Sequence, residues 1–203
     1  MSDEHDDRGL RWRGNGDWDG RHDGHEDRGH DPVREVTRVS TDAQGAQLNS
    51  ASFESAVSGN GRYVAFQSFV TNVLPSDPSP AGDTYLKDLR TGAVTLVSAN
   101  AEGVVGNVFS EAPDVSANGR YVAFESGAVL VPEDISGGTD IYVKDLQTGE
   151  VALASHALGG GGGGNRGSFE EAVLNDGRVV FTSLASALAP NDTNNQLDIF
   201  LWA

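Results

Sequence analysis

"SANGRYVAFES", residues 116–126, decides how this chain is read. Asn118-Gly119 is a turn signal, and "RYVAFES" behind it alternates valine with aromatic or alanine positions, the period-2 pattern of a half-buried strand. Nearly the same words stand at 58–68 as "SGNGRYVAFQS" and, shortened, at 174–183 as "LNDGRVVFTS". Their glycines, Gly61, Gly119 and Gly177, recur every 58 residues. A fixed period of this size marks a repeat architecture, so the repeat is read before any single residue.

Working outward, each unit divides into four strand-like pieces. The first is "FESAVS" (53–58), "EAPDVS" (111–116) and "FEEAVL" (169–174); the second is the "RYVAF" strand itself. The third is "DTYLKDL" (83–89), "DIYVKDL" (140–146) and "DIFLWA" (198–203), and the fourth is "AVTLVS" (93–98) and "EVALAS" (150–155). Asn60-Gly61, Asn118-Gly119 and Asp176-Gly177 predict tight turns in which both residues take positive φ. Thr91-Gly92 and Thr148-Gly149 join the third and fourth pieces. Four short antiparallel strands with turns at fixed offsets describe one blade of a β-propeller. A blade with two apolar faces must stack on its neighbours. The expected fold is all-β, with three blades per chain at about 52–98, 110–155 and 168–203 inside a 33–203 propeller unit.

The words "S-x-NGRYVAF-x-S" and "D-x-Y-x-KDL-x-TG" resemble the TolB-type, WD40-like (PD40) propeller repeat common in exported bacterial proteins, over about residues 36–203. The resemblance implies the propeller fold and a periplasmic or secreted setting. It says almost nothing about activity.

Composition narrows the partners. The 203 residues carry a net charge of −16, which opposes nucleic-acid binding, because phosphates call for clustered Lys and Arg. Apolar runs are strand-sized, so no membrane insertion is expected. There is no cysteine, which excludes disulfides and thiolate chemistry, and the opening "MSDEHDDRGL" has no apolar signal-peptide core. Residues 1–32 hold ten acidic residues, five arginines and four of the five histidines, with few aliphatic side chains. Such a segment buries too little apolar surface to offset the entropy of ordering, and is expected to be a disordered, solubilising tail. A weak chelating role for His5, His22, His25 and His30 is the alternative.

The repeat frame is out of phase at the two ends. "EVTRVS" (35–40) matches the fourth piece, whereas the last unit reaches only its third. Three blades do not close a ring, since propellers run to roughly four to eight. Two chains on a two-fold axis would give six blades, each 36–40 strand completing the third blade of its partner. The alternative is a piece of a longer propeller.

For chemistry, the loop between second and third strands repeats an acidic frame. Asp77 and Asp83, Asp134 and Asp140, and Asp192 and Asp198 are each six apart, with Ser79, Ser136 or Asn194 between them. Carboxylate and amide oxygens on a bendable loop suit Ca²⁺, so Asp77, Asp83, Asp134, Asp140, Asp192, Asn194 and Asp198 are candidate metal ligands. The competing reading gives the first aspartate an Asx turn and the second a strand cap. Glu54, Glu111, Asp114, Glu170 and Glu171 fall on the innermost strands, where they would form either a negative channel mouth or a solvated rim. The six glycines at 159–164 read as a flexible connector, because neither a helix nor G-K-[ST] follows. Lys87-Asp88 and Lys144-Asp145 recur as a structural pair or turn. His156 has no G-x-S-x-G elbow to serve, so no catalytic residue is assigned. Two functions remain: a non-enzymatic scaffold that binds itself and a protein or glycan partner, or a calcium-binding, carbohydrate-related secreted propeller with ligand-binding, lyase or hydrolase activity.

Overall fold

The computed structural model describes residues 35–74, 77, 80–135, 137–160 and 162–203. The chain divides into Met1–Thr37 and Arg38–Ala203. Of the first unit only residues 35–37 are described, and they carry no regular structure. The tail histidines His5, His22, His25 and His30 lie outside the described residues.

The second unit holds strands β1 (Ser52–Val57), β2 (Tyr63–Ser68), β3 (Asp83–Asp88), β4 (Val94–Leu96), β5 (Ser110–Val115), β6 (Tyr121–Ser126), β7 (Asp140–Asp145), β8 (Val151–Leu153), β9 (Ser168–Val173), β10 (Val179–Ser183) and β11 (Asp198–Trp202). They form three antiparallel sheets in simple sequence order, β1-β2-β3-β4, β5-β6-β7-β8 and β9-β10-β11. These are the three blades. Among the described residues the third has no fourth strand, and residues 35–40 belong to no strand.

The registers repeat as the sequence does. Phe66 stands opposite Tyr85, Phe124 opposite Tyr142 and Phe181 opposite Phe200. Their ring centroids lie 5.9, 5.9 and 5.8 Å apart. One residue along, Ala65, Ala123 and Val180 face Leu86, Val143 and Leu201. Because strand side chains alternate between faces, each blade carries an aromatic face and a smaller aliphatic one. Stacking aliphatic on aromatic makes the core. Ala65, Leu86 and Val97 of the first blade meet Val115, Val122, Phe124 and Tyr142 of the second. Ala123, Ile141 and Val143 of the second meet Val173, Val179 and Phe181 of the third. The aromatic face of the first blade, Phe66 and Tyr85, is covered by Leu48, Val70 and Val73 from flanking loops.

The hairpin turns differ from expectation in type. Gly61, Gly119 and Gly177 have φ of 69°, 75° and 89°, but Asn60, Asn118 and Asp176 are not left-handed. The loops are longer than two residues: Ser58 N donates to Tyr63 O at 2.9 Å, and Gly61 N to Ser58 O at 2.8 Å. Asn60 Oδ1 then accepts from Ser58 Oγ and Arg62 N, so the asparagine braces the loop by its side chain. Gly119 is needed twice over, since a β-carbon there would also overlap the Tyr63 ring of the preceding blade.

The blades are linked by small folded connectors. Isolated bridges join Thr41 to Gln47, Ala99 to Val105 and His156 to Gly163. The glycine run, expected as a flexible connector, is the third of these. Ala157 N donates to Gly162 O at 2.7 Å and Gly164 N to Ser155 O at 2.8 Å. Gly159, Gly160 and Gly162 have φ of 81°, 80° and 97°, which explains glycine there: the connector needs several left-handed residues in succession.

Candidate functional site

The repeated loop aspartates serve the blades themselves. Asp77 and Asp134, both buried, accept the hydroxyls of Tyr85 and Tyr142. Burial and the neighbouring carboxylate push both phenols well above the ordinary tyrosine range. Ser98 Oγ donates to Asp83 Oδ1 at 2.8 Å and itself accepts from Thr84 N at 3.0 Å. The second blade repeats the arrangement: Ser155 Oγ donates to Asp140 Oδ1 at 2.7 Å and accepts from Ile141 N at 3.0 Å. The second aspartate thus locks the third strand to the end of the fourth. Burial pushes the Asp83 carboxyl up to about 7, with the Ser98 bond opposing and Asp77 adding.

The third blade departs from this pattern. Phe200 replaces the tyrosine, so half-buried Asp192 meets no phenol at that position. Asp198 accepts Asn194 Nδ2 at 2.9 Å instead of a serine. Ser79 and Ser136 lie outside the described residues. Among the described residues no three His, Asp or Glu side chains converge on a metal position.

The recurring Lys-Asp pairs split their work. Asp88 and Asp145 bind Arg62 and Arg120 of the adjacent hairpin at 2.6 Å, and each guanidinium lies over the next tyrosine ring. Those arginines hold both carboxyls below the usual carboxylate range. Lys87 Nζ donates to Thr41 O at 3.1 Å and Asp42 O at 2.6 Å, and Lys144 Nζ to Ala99 O at 2.7 Å. Each lysine therefore pins the connector that enters its blade. A cavity of about 410 Å³ between the second and third blades is lined by Arg120, Tyr121, Asp145, Arg178 and Trp202. Its two arginines are already paired with Asp145 and Asp176. His156 is exposed, and its Nδ1 lies 3.2 Å from the carbonyl of Ala157.

The inner strands gather the remaining acids. A β-bulge interrupts the pairing of β1, β5 and β9 with their neighbours. Glu54, Ala112 and Glu170 sit at it with φ of 43°, 47° and 55°. The left-handed twist turns backbone amides toward the adjacent blade, where carboxylates meet them. Glu54 Oε2 accepts Ala112 N at 2.7 Å, Glu125 Oε1 accepts Glu170 N at 3.0 Å, and Asp114 Oδ2 accepts Val173 N at 2.8 Å. Glu171 completes the group; the residue is half-buried, but neither carboxyl oxygen has a hydrogen-bond partner or reaches solvent. Burial pushes its carboxyl up to about 9, with Glu125, Asp114 and Glu54 adding repulsion. Glu111 and Glu125 are raised for the same reasons, burial first. Glu54, Glu111, Asp114, Glu125, Glu170 and Glu171 from all three blades therefore share one electrostatic neighbourhood. Among the described residues none of them forms an ion pair. Five of these six were legible as inner-strand acids; Glu125 was not, because it lies on β6 within the "RYVAFES" motif.

No family model matches the sequence, and no relative of assigned function was found by sequence. Solved structures do resemble it. One is a protein of Agrobacterium tumefaciens assigned as TolB, at 18% identity and a TM-score of 0.45, over 76% of this chain and 45% of that one. TolB from Acinetobacter baumannii follows at 18% and 0.43, over 77% and 30%. An oligogalacturonate lyase in complex with manganese gives 14% and 0.46, over 77% and 39%. The chain spans less than half the length of each of these. Its own strand order makes it a run of three β-propeller blades, and the solved structures it resembles are TolB and other propeller proteins.

Proposed function

We infer that the protein is a non-enzymatic binding scaffold whose acidic inner strands receive a basic segment of another protein. The observation that carries this reading is the group of six acidic side chains gathered by three successive blades, in which Glu171 is buried and holds its proton at neutral pH and the others supply the negative face. Burial, with mutual repulsion adding to it, raises the pKa values of Glu111, Glu125 and Glu171, and no described cation balances the group. Carboxylates held this way by backbone bulges are preorganised, so a cationic side chain gains attraction without reorganising the site. The overall charge of −16 steers the same class of partner toward the surface. The loop aspartates support the scaffold reading as well, since in the first two blades they are spent on Tyr85, Tyr142, Ser98 and Ser155.

Fluorescence anisotropy with a labelled Lys/Arg-rich decapeptide tests this. Saturable binding that weakens about tenfold between low and physiological salt is expected. Glu54→Gln/Glu170→Gln should weaken it several-fold without unfolding the chain, because glutamine at 54 still offers an oxygen to Ala112 N and position 170 meets Glu125 through its backbone amide. Equal binding of an acidic decapeptide, or none of the basic one, would contradict the reading.

A further inference from the structure

We propose that the exposed aliphatic face and open edge of the third blade are an interface for a second copy of this chain. The partner's residues 36–40 enter as the missing fourth strand, so that two chains close one six-bladed ring. The proposal stands independently of the basic-segment reading above.

Positions related by the repeat carry the first argument. Val57, Val115 and Val173 hold the same place in β1, β5 and β9; the last two are 5% and 7% exposed, while Val57 is 61% exposed. On the opposite face Ile141 and Val143 are 0% and 4% exposed beneath the third blade, yet their counterparts Ile199 and Leu201 are 77% and 56% exposed. The two internal blade contacts thus bury every one of these positions. Val57 on the first blade's leading face and Ile199 and Leu201 on the third blade's trailing face thus expose positions that the internal contacts bury.

The connector carries the second argument. Residues 41–47 have the fold of the connectors that leave β4 and β8: Asp42 N donates to Ala46 O at 2.9 Å, as Asn100 N does to Val104 O. Lys87 grips Thr41 and Asp42 as Lys144 grips Ala99. The chain therefore enters its first blade as though arriving from a fourth strand. Residues 36–40 hold the repeat positions of β4 but lie in no sheet. Among the described residues no strand pairs with the outer edge of β11.

Register follows by transfer. Tyr85, Leu86 and Lys87 pair with Leu96, Thr95 and Val94, and Tyr142, Val143 and Lys144 with Leu153, Ala152 and Val151. Phe200, Leu201 and Trp202 are then opposite Arg38, Thr37 and Val36 of the partner subunit. Ser40 of the partner subunit takes the place of Ser98 and Ser155, donating to Asp198 and accepting from Ile199 N. That lock is the one the third blade lacks. A blade interface is head-to-tail, and two such interfaces on a two-fold axis close without leaving a free edge.

The chain has no cysteine, so paired cysteines report the register directly. Thr37→Cys/Leu201→Cys, bridged by a short bis-maleimide, is expected to yield a covalent two-chain product as the main species. Arg38→Cys/Leu201→Cys, one residue out of register and on the opposite face, should give less than a tenth as much. A single-chain product only, a ladder of longer species, or equal yields from both variants would each overturn the proposal. Position 201 is exposed, so the cysteine there does not endanger folding.

Discussion

Truncating Phe124 to alanine should cost about 3–5 kcal/mol, the largest loss expected of any single side chain here. Phe124 is fully buried at the contact between first and second blades, and its ring stacks on Tyr142 at 5.9 Å with 24° between planes. Little can collapse into the space it would leave, because Val122 and Tyr142 beside it are held in sheet ladders on both sides. Domains of this size are stable by only about 5–15 kcal/mol, so the variant should melt more than ten degrees below the parent or fail to fold. Denaturant melts followed by far-UV circular dichroism measure the difference. A loss below about 1 kcal/mol would mean that the blades are not packed on one another as described.

Replacing Glu171 with glutamine should act in the opposite direction, and increasingly as the pH rises. In the unfolded chain this carboxyl titrates near its ordinary value of 4.5, and in the folded chain burial pushes it up to about 9. The folded state therefore holds the proton more tightly. The stabilisation this gives is complete below about pH 4.5 and is lost progressively as the pH climbs to about 9. Asp83, pushed up to about 7 by burial, adds to the same slope over its lower part. Glutamine cannot ionise. The variant should match the parent near pH 5 and exceed it at pH 9 by on the order of 2–4 kcal/mol, flattening the profile between. Urea melts at the two pH values decide it. An equal loss of stability in parent and variant between them would show that Glu171 is hydrated in the folded chain.

Local pattern made the blades legible and hid how they meet. "RYVAFQS" and "RYVAFES" became β2 and β6 with ends displaced by a single residue, because alternation and a turn glycine are written in consecutive letters. The bulges at Glu54, Ala112 and Glu170 carry no such mark. No glycine signals the left-handed residue, and its cause is the neighbouring blade, whose carboxylates bind the turned-out amides. The six-residue spacing of the loop aspartates was visible, but spacing does not say which way a side chain turns. Asp77 and Asp134 look inward to a tyrosine eight positions on, a pairing foreshadowed only by the recurrence of tyrosine at 85 and 142. Phenylalanine at 200 was the letter announcing that the third blade is built differently. The glycine run shows a related limit: consecutive glycines permit freedom, but Gly159, Gly160 and Gly162 also take left-handed φ in a hydrogen-bonded connector.

Val57, Ile199 and Leu201 are exposed at positions whose counterparts are core, and this contrast supports the proposed docking of a second copy. The mass of the 203-residue chain in solution tests it most directly. Light scattering across the micromolar range should return twice the chain mass of 21.3 kDa, and Leu201→Lys should return the single mass with the circular dichroism spectrum unchanged. A parent chain that runs as a folded species of 21.3 kDa at every concentration would contradict the account.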